Sequence, residues 1–152
     1  MTVTELNTNE TIEIKTATNI RRRFLAAFID YGIINTKCYL IITVFGTPDE
    51  NGNFHLSGWS ALIPLLVWAF WTIGLEQYFG ATLGNSIVNL KPISLYNSRL
   101  RLTFSQSLKR HLLDPIDMFF FGLIAYLIIK NTEKNQRLGD LWANTTVIKI
   151  NN

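Results

Sequence analysis

Arg21-Arg22-Arg23-Phe24-Leu25-Ala26-Ala27-Phe28-Ile29-Asp30 opens a long apolar run with three cations and sets one carboxylate two turns inside it. Read as a membrane helix, the stretch places Asp30 about 10 Å beyond Arg23 at the usual rise per residue. Hydrocarbon begins at that depth, where an unpaired charge is strongly disfavoured. The carboxylate therefore needs a partner or a purpose.

The rest of the chain supports the membrane reading. Hydrophobic residues make up 48% of the chain and charged residues 16%, and mean hydropathy is +0.18 although both ends are polar. Residues 24–45 carry only Asp30 and Lys37 as charges, residues 60–79 carry only Glu76, and each run is long enough to span. Residues 60–75 lack the polar face that a soluble helix shows. A third run, residues 112–129, is shorter and carries Asp114, Pro115 and Asp117 near its start. The first run is expected to stay as an anchor, since a polar stretch precedes it and no small-residue cleavage site follows Phe45. Cys38 is the single cysteine, which excludes an internal disulfide or a cysteine metal cluster, and it is expected to pack within the first span.

Basic residues set orientation. Arg21, Arg22 and Arg23 precede the first span, whereas residues 46–59 hold Asp49, Glu50 and His55 with no Lys or Arg. That loop is expected outside and the amino terminus in the cytoplasm. Residues 80–111 carry Lys91, Arg99, Arg101, Lys109 and Arg110 with no acid, which suits a cytoplasmic connection next to anionic lipid head groups. Nucleic acid is not expected as a partner. A full third crossing would put Lys130, Lys134, Arg137 and Lys149 outside, against the same rule. Pro115 also interrupts helical hydrogen bonding. Residues 104–114 are thus read as an interfacial helix, followed by a re-entrant or tilted piece over 115–129, with three full spans as the alternative.

The connecting parts read as strands. Residues 87–93 and 99–104 are β-prone or alternating and flank a turn-like Tyr96-Asn97-Ser98, so a hairpin is expected. Residues 145–150 read as another strand that could pair with 87–93. Residues 1–20 read as a disordered leader and 21–150 as one membrane domain. The expected fold class is an all-α membrane protein with two to three transmembrane helices, a re-entrant or third helix, and a small cytoplasmic β-sheet.

Three local patterns, in order, resemble the RDD family of small integral membrane proteins, named for one arginine and two aspartates. They are residues 22–30, with Arg23 at the helix entrance and Asp30 inside it; Gly80-Ala81-Thr82-Leu83-Gly84 after the second span; and residues 136–147, which supply Asp140. Asn85 stands where that family usually has lysine. The resemblance implies a multi-pass protein of the cytoplasmic membrane that is suspected of a transport role, without a common substrate.

Arg23, Asp30 and Lys37 are seven residues apart and share one helical stripe. In one reading Asp30 is a cation or proton site tuned by Arg23 and Lys37. In the other it is an ionised latch for Arg23 or Arg110. Glu76, in the last turn of the second span, is either a hydrated interfacial residue or a second carboxylate sharing a site with Asp30. Asp114 suits an N-cap before Pro115. Arg137 and Asp140 flank Gly139, read as a tight turn, and a salt bridge from Asp140 to Arg22 or Arg23 would clamp the tail to the first helix. Residues 80–84 lack the spacing of a phosphate loop, and His55 and His111 are too far apart in sequence for zinc. No nucleophile with a nearby base is legible, so neither an enzyme nor a cofactor is expected. Two or three spans enclose no pathway alone, so ion or small-solute transport requires a homo-oligomer or partner membrane subunit. The rival reading is a scaffold in which these Arg and Asp residues are latches.

Overall fold

A computed structural model describes residues 16–96 and 101–150. The expected leader lies outside the described residues as far as position 15, as do positions 97–100 of the expected hairpin.

Helix α1 runs over Ile20–Phe45 without proline. At 1.5 Å per residue it is about 39 Å long, more than the roughly 30 Å of bilayer hydrocarbon. Its buried residues are Ala26, Asp30 and Ile34, a single stripe at four-residue spacing. A short hairpin follows, β1 (Thr47–Pro48) against β2 (Phe54–His55), with Thr47 opposite His55. Asp49 closes its turn by accepting the Asn51 and Asn53 amides at 2.9 and 2.8 Å.

Helix α2 occupies Gly58–Phe79. It starts as a 3-10 turn, places Pro64 where no amide partner is needed, and widens into a π turn over Phe70–Gly74 before its last α turn. The wide turn re-aims the end of the helix, so that Thr72, Ile73 and Glu76 are buried. Gly80, at φ 83°, ends it in the left-handed conformation that glycine adopts without strain. The most apolar windows of α1 and α2 are only 17% and 11% buried. Such exposed apolar surface calls for lipid or another apolar partner rather than water.

Helix α3 (Leu83–Ile87) is capped by the Thr82 hydroxyl. Strand β3 (Leu90–Ser94) pairs antiparallel with β4 (Thr145–Lys149), Leu90 facing Lys149 and Ser94 facing Thr145. The pairing expected between residues 87–93 and 145–150 is therefore present, on a slightly shorter segment. Of the hairpin strand expected over 99–104, the described part is not strand: residues 101–103 are irregular and Phe104 begins helix α4 (Phe104–Leu112). Thr103 and Gln106 form a capping box there, which satisfies the first helical amides and outweighs the β-prone alternation.

After Leu113 the chain makes one turn, α5 (Asp114–Asp117), and then helix α6 (Phe119–Asn131). The third apolar run is thus broken next to Pro115, as expected. Phe120 and Gly122 have φ of 48° and 82°, so the start of α6 is irregular. Its 13 residues reach about 20 Å, short of the hydrocarbon thickness. Helix α7 (Leu138–Ala143) and a left-handed Asn144 lead into β4.

Candidate functional site

Helices α1, α2, α4, α5 and α7 bring their charges to one place. Four carboxylates, Glu76, Asp114, Asp117 and Asp140, are each no more than 2% exposed. Four cations face them. Arg23 Nη1 donates to Asp140 Oδ2 at 3.1 Å, and its Nη2 donates to the Asn135 carbonyl at 2.8 Å. Arg110 lies 3.5 Å from Asp140 and 3.7 Å from Glu76. Arg137 lies 2.6 Å from Asp114, 3.7 Å from Asp117 and 3.8 Å from Asp140. His111 bridges Glu76 at 3.3 Å and Asp114 at 2.8 Å.

Hydrogen bonds complete the set. The Tyr31 hydroxyl donates to Asp114 at 2.6 Å, and the Ser107 hydroxyl donates to Glu76. Asp117 accepts the Leu138 and Gly139 amides at 3.0 and 3.1 Å and so caps α7. Gly139 is required by contact rather than by a turn, because a Cβ there would sit 2.5 Å from the Arg110 carbonyl oxygen. Burial acts to raise Asp114 and Asp140, but their neighbouring cations outweigh it and hold both carboxyls below the usual range. For Asp117 burial wins and pushes the carboxyl up, against Arg137 and the two amides.

His111 is the titratable cation of the group. Burial would lower it, but Asp114 and Glu76 outweigh burial and push it up to about 9. Its raised value means that stability from this contact is complete below the unfolded value of about 6.5 and disappears as pH rises through about 9. The contribution is about 3 kcal/mol. The melting temperature in detergent should therefore fall between pH 6.5 and 9.5, and His111→Gln should flatten that slope. A wild-type slope unchanged by the substitution would refute the assignment.

Asp30 stands apart from this balance. It is 6% exposed, and its Oδ2 accepts the Thr82 hydroxyl at 2.6 Å while Oδ1 accepts the Gly84 amide at 2.7 Å. Among the described residues no Lys or Arg lies within ion-pair distance of it. The latch expected to Arg23 or Arg110 is replaced by one to the start of α3, because Arg23 and Arg110 are drawn to Asp140. Thr82 Oγ1 also accepts the Asn85 side chain at 2.9 Å. Asp30, Tyr31, Thr82 and Asn85 line a cavity of about 520 Å³ that residues of α6 also line.

Other expectations are corrected. Lys37 sits 4.8 Å above the Trp71 ring and does not reach Asp30. Glu76 is buried and paired, not hydrated at an interface, and its partners are separate from those of Asp30. Arg22 donates to the Val88 carbonyl at 2.7 Å, which leaves Arg23 to make the clamp on Asp140. Asp114 is no N-cap, since Arg137, His111 and Tyr31 take its oxygens. Arg110 leaves the basic connection for the interior. The roles of His111, Tyr31 and Ser107 were not legible in sequence; Thr82-Leu83-Gly84-Asn85 did carry an N-cap signal.

Two long apolar helices carrying an interior network of paired charges at one end define a helical membrane protein. The chain belongs to the RDD family, whose model matches residues 17–144. It is 28% identical over 131 residues to the uncharacterized membrane protein YteJ of Bacillus subtilis (strain 168), across 83% of this chain and 77% of that protein. No solved structure matches the chain. Of the three residues that carry the resemblance, Arg23 and Asp140 pair with each other while Asp30 holds α3.

Proposed function

We propose that the protein takes part in moving an ion or small solute across the cytoplasmic membrane, with Asp30 as the group that accepts a proton or a cation. One observation carries the reading: among the described residues four buried carboxylates are matched by four cations, and Asp30 is the buried carboxylate left over, lining a cavity. A charge kept at membrane depth without a counter-ion suits a site that a transported cation neutralises. The paired residues are structural latches in this reading, and no residue is assigned catalysis or a cofactor.

The protein is multi-pass in this reading, with α1 and α2 crossing and α6 entering only partway. The amino terminus, the β3–β4 sheet and the charge network lie on the cytoplasmic side, where Lys91, Arg101 and Lys109 meet anionic lipid. Two crossings enclose no pathway, so the active form is a homo-oligomer or a complex with a partner membrane subunit. A cysteine placed at Asn51 should react with an impermeant thiol reagent in intact cells, and one at Lys134 only after the membrane is opened. Labelling at Lys134 in intact cells would overturn the orientation.

The function is tested by proton and monovalent-cation flux into liposomes holding wild type or Asp30→Asn, with empty liposomes as control and oligomer size checked in both. Asp30→Asn is expected to lower flux at least tenfold with the assembly intact. The scaffold reading draws on the hydrogen bonds by which Asp30 secures α3. It would gain from a variant that loses assembly, or from a wild type without flux for any cation tried.

A further inference from the structure

The cavity beside Asp30 has two kinds of wall. The polar part is the Asp30 carboxylate with Thr82 and Asn85, and the apolar part includes Met118, Leu123, Tyr126 and Ile129 of α5–α6. Its volume of about 520 Å³ is far larger than a bare ion needs and falls within the roughly 300–1,000 Å³ of small-molecule sites. The oxygen supply points the same way. A hard metal cation gathers about six oxygens, but Thr82 Oγ1 is already committed to Asp30 and Asn85, and both Asp30 oxygens accept bonds from α3. Among the described residues no group of three His, Cys, Asp or Glu is placed to hold a metal ion.

An organic monocation asks for less. It needs one carboxylate without a cationic partner for its charge and an apolar or aromatic wall for its body, here including Phe24, Leu123 and Ile129. We infer that the cavity takes a hydrophobic organic cation, a substituted ammonium or phosphonium, whose charge sits at Asp30 and whose apolar groups lie along α6. The inference rests on the reading of Asp30 as a cation site and narrows its ligand. Arg23, Arg110, Arg137 and His111 also line the cavity, but their carboxylate partners already balance them, and Arg21, which lines it too, is solvent-exposed.

The test uses the full chain in lipid nanodiscs, equilibrium dialysis, and two probes of one shape and opposite charge, tetraphenylphosphonium and tetraphenylborate, with empty nanodiscs subtracted. Saturable binding of the phosphonium alone is expected, weakened at least tenfold by Asp30→Asn and by Ala125→Trp, which fills the α6 wall. Equal or tighter binding of the borate, or phosphonium binding indifferent to both substitutions, would overturn the inference. The same samples are assayed for proton and sodium flux. Asp30-dependent flux without phosphonium binding would remove the inference and leave the proposed function standing. Asp30-dependent phosphonium binding without flux of any cation, the phosphonium included, would do the reverse.

Discussion

Arg137→Ala should lower the melting temperature in detergent by about ten degrees or more. Arg137 is the cation closest to Asp114 and also serves Asp117 and Asp140. With it gone, His111 and the Tyr31 hydroxyl remain for Asp114, the α7 amides for Asp117, and Arg23 with Arg110 for Asp140. Breaking a buried pair from one side costs about 3–5 kcal/mol, against a total stability of about 5–15 kcal/mol. Arg137→Lys should recover part of the loss, since an ammonium keeps the charge but lacks the planar fork that spans three carboxylates. An Arg137→Ala protein that melts within a few degrees of wild type would show that the network is not what holds α5, α1 and α7 together.

Gly84→Ala is the second severe change, although it adds one methyl group. A Cβ at this position would strike the Ala26 carbonyl oxygen and lie 2.8 Å from Asp30 Cγ. Backbone cannot yield as a flexible side chain does, so α3 must retreat from α1 and stretch the Gly84 and Thr82 bonds to Asp30. Overpacking of this kind costs about 1–3 kcal/mol, and the broken hydrogen bonds to a buried carboxylate add about 1.5–3 kcal/mol. Gly32→Ala is the matched control, because nothing lies within 4 Å of a Cβ there and alanine favours the helix. The control should melt at or slightly above wild type and Gly84→Ala well below it. Equal melting temperatures would mean that α3 does not pack tightly on α1.

These two substitutions mark where sequence reasoning stopped. The two candidate spans were legible because hydrocarbon imposes a length and excludes charge, so an uninterrupted apolar run marks them. The break near Pro115 and the β3–β4 pairing were legible for similarly local reasons, a missing amide and a β-prone pattern. The second hairpin strand was misread because a capping box decides a helix start within four residues, and Thr103 with Gln106 outweighed alternation. At the site, the clamp from Asp140 to the first helix was anticipated and Arg23 makes it. The partners of Asp30, Glu76, Asp114 and Arg22 were not, since each lies on an element more than a local turn away or is chosen in competition with several like charges.

What the sequence determined by itself is which segments are long and apolar enough to span a bilayer, that the third apolar run breaks beside Pro115, and that α1 carries a carboxylate two turns inside it. Those properties follow from hydropathy and backbone chemistry within a few residues. Only the tertiary structure decided which charges cancel. Glu76, Asp114, Asp117 and Asp140 are distributed over α2, α5 and α7, and Arg23, Arg110, His111 and Arg137 over α1, α4 and the entry to α7. Pairing energy depends on distance and burial, so Asp30 is left without a Lys or Arg partner among the described residues only once those elements have converged.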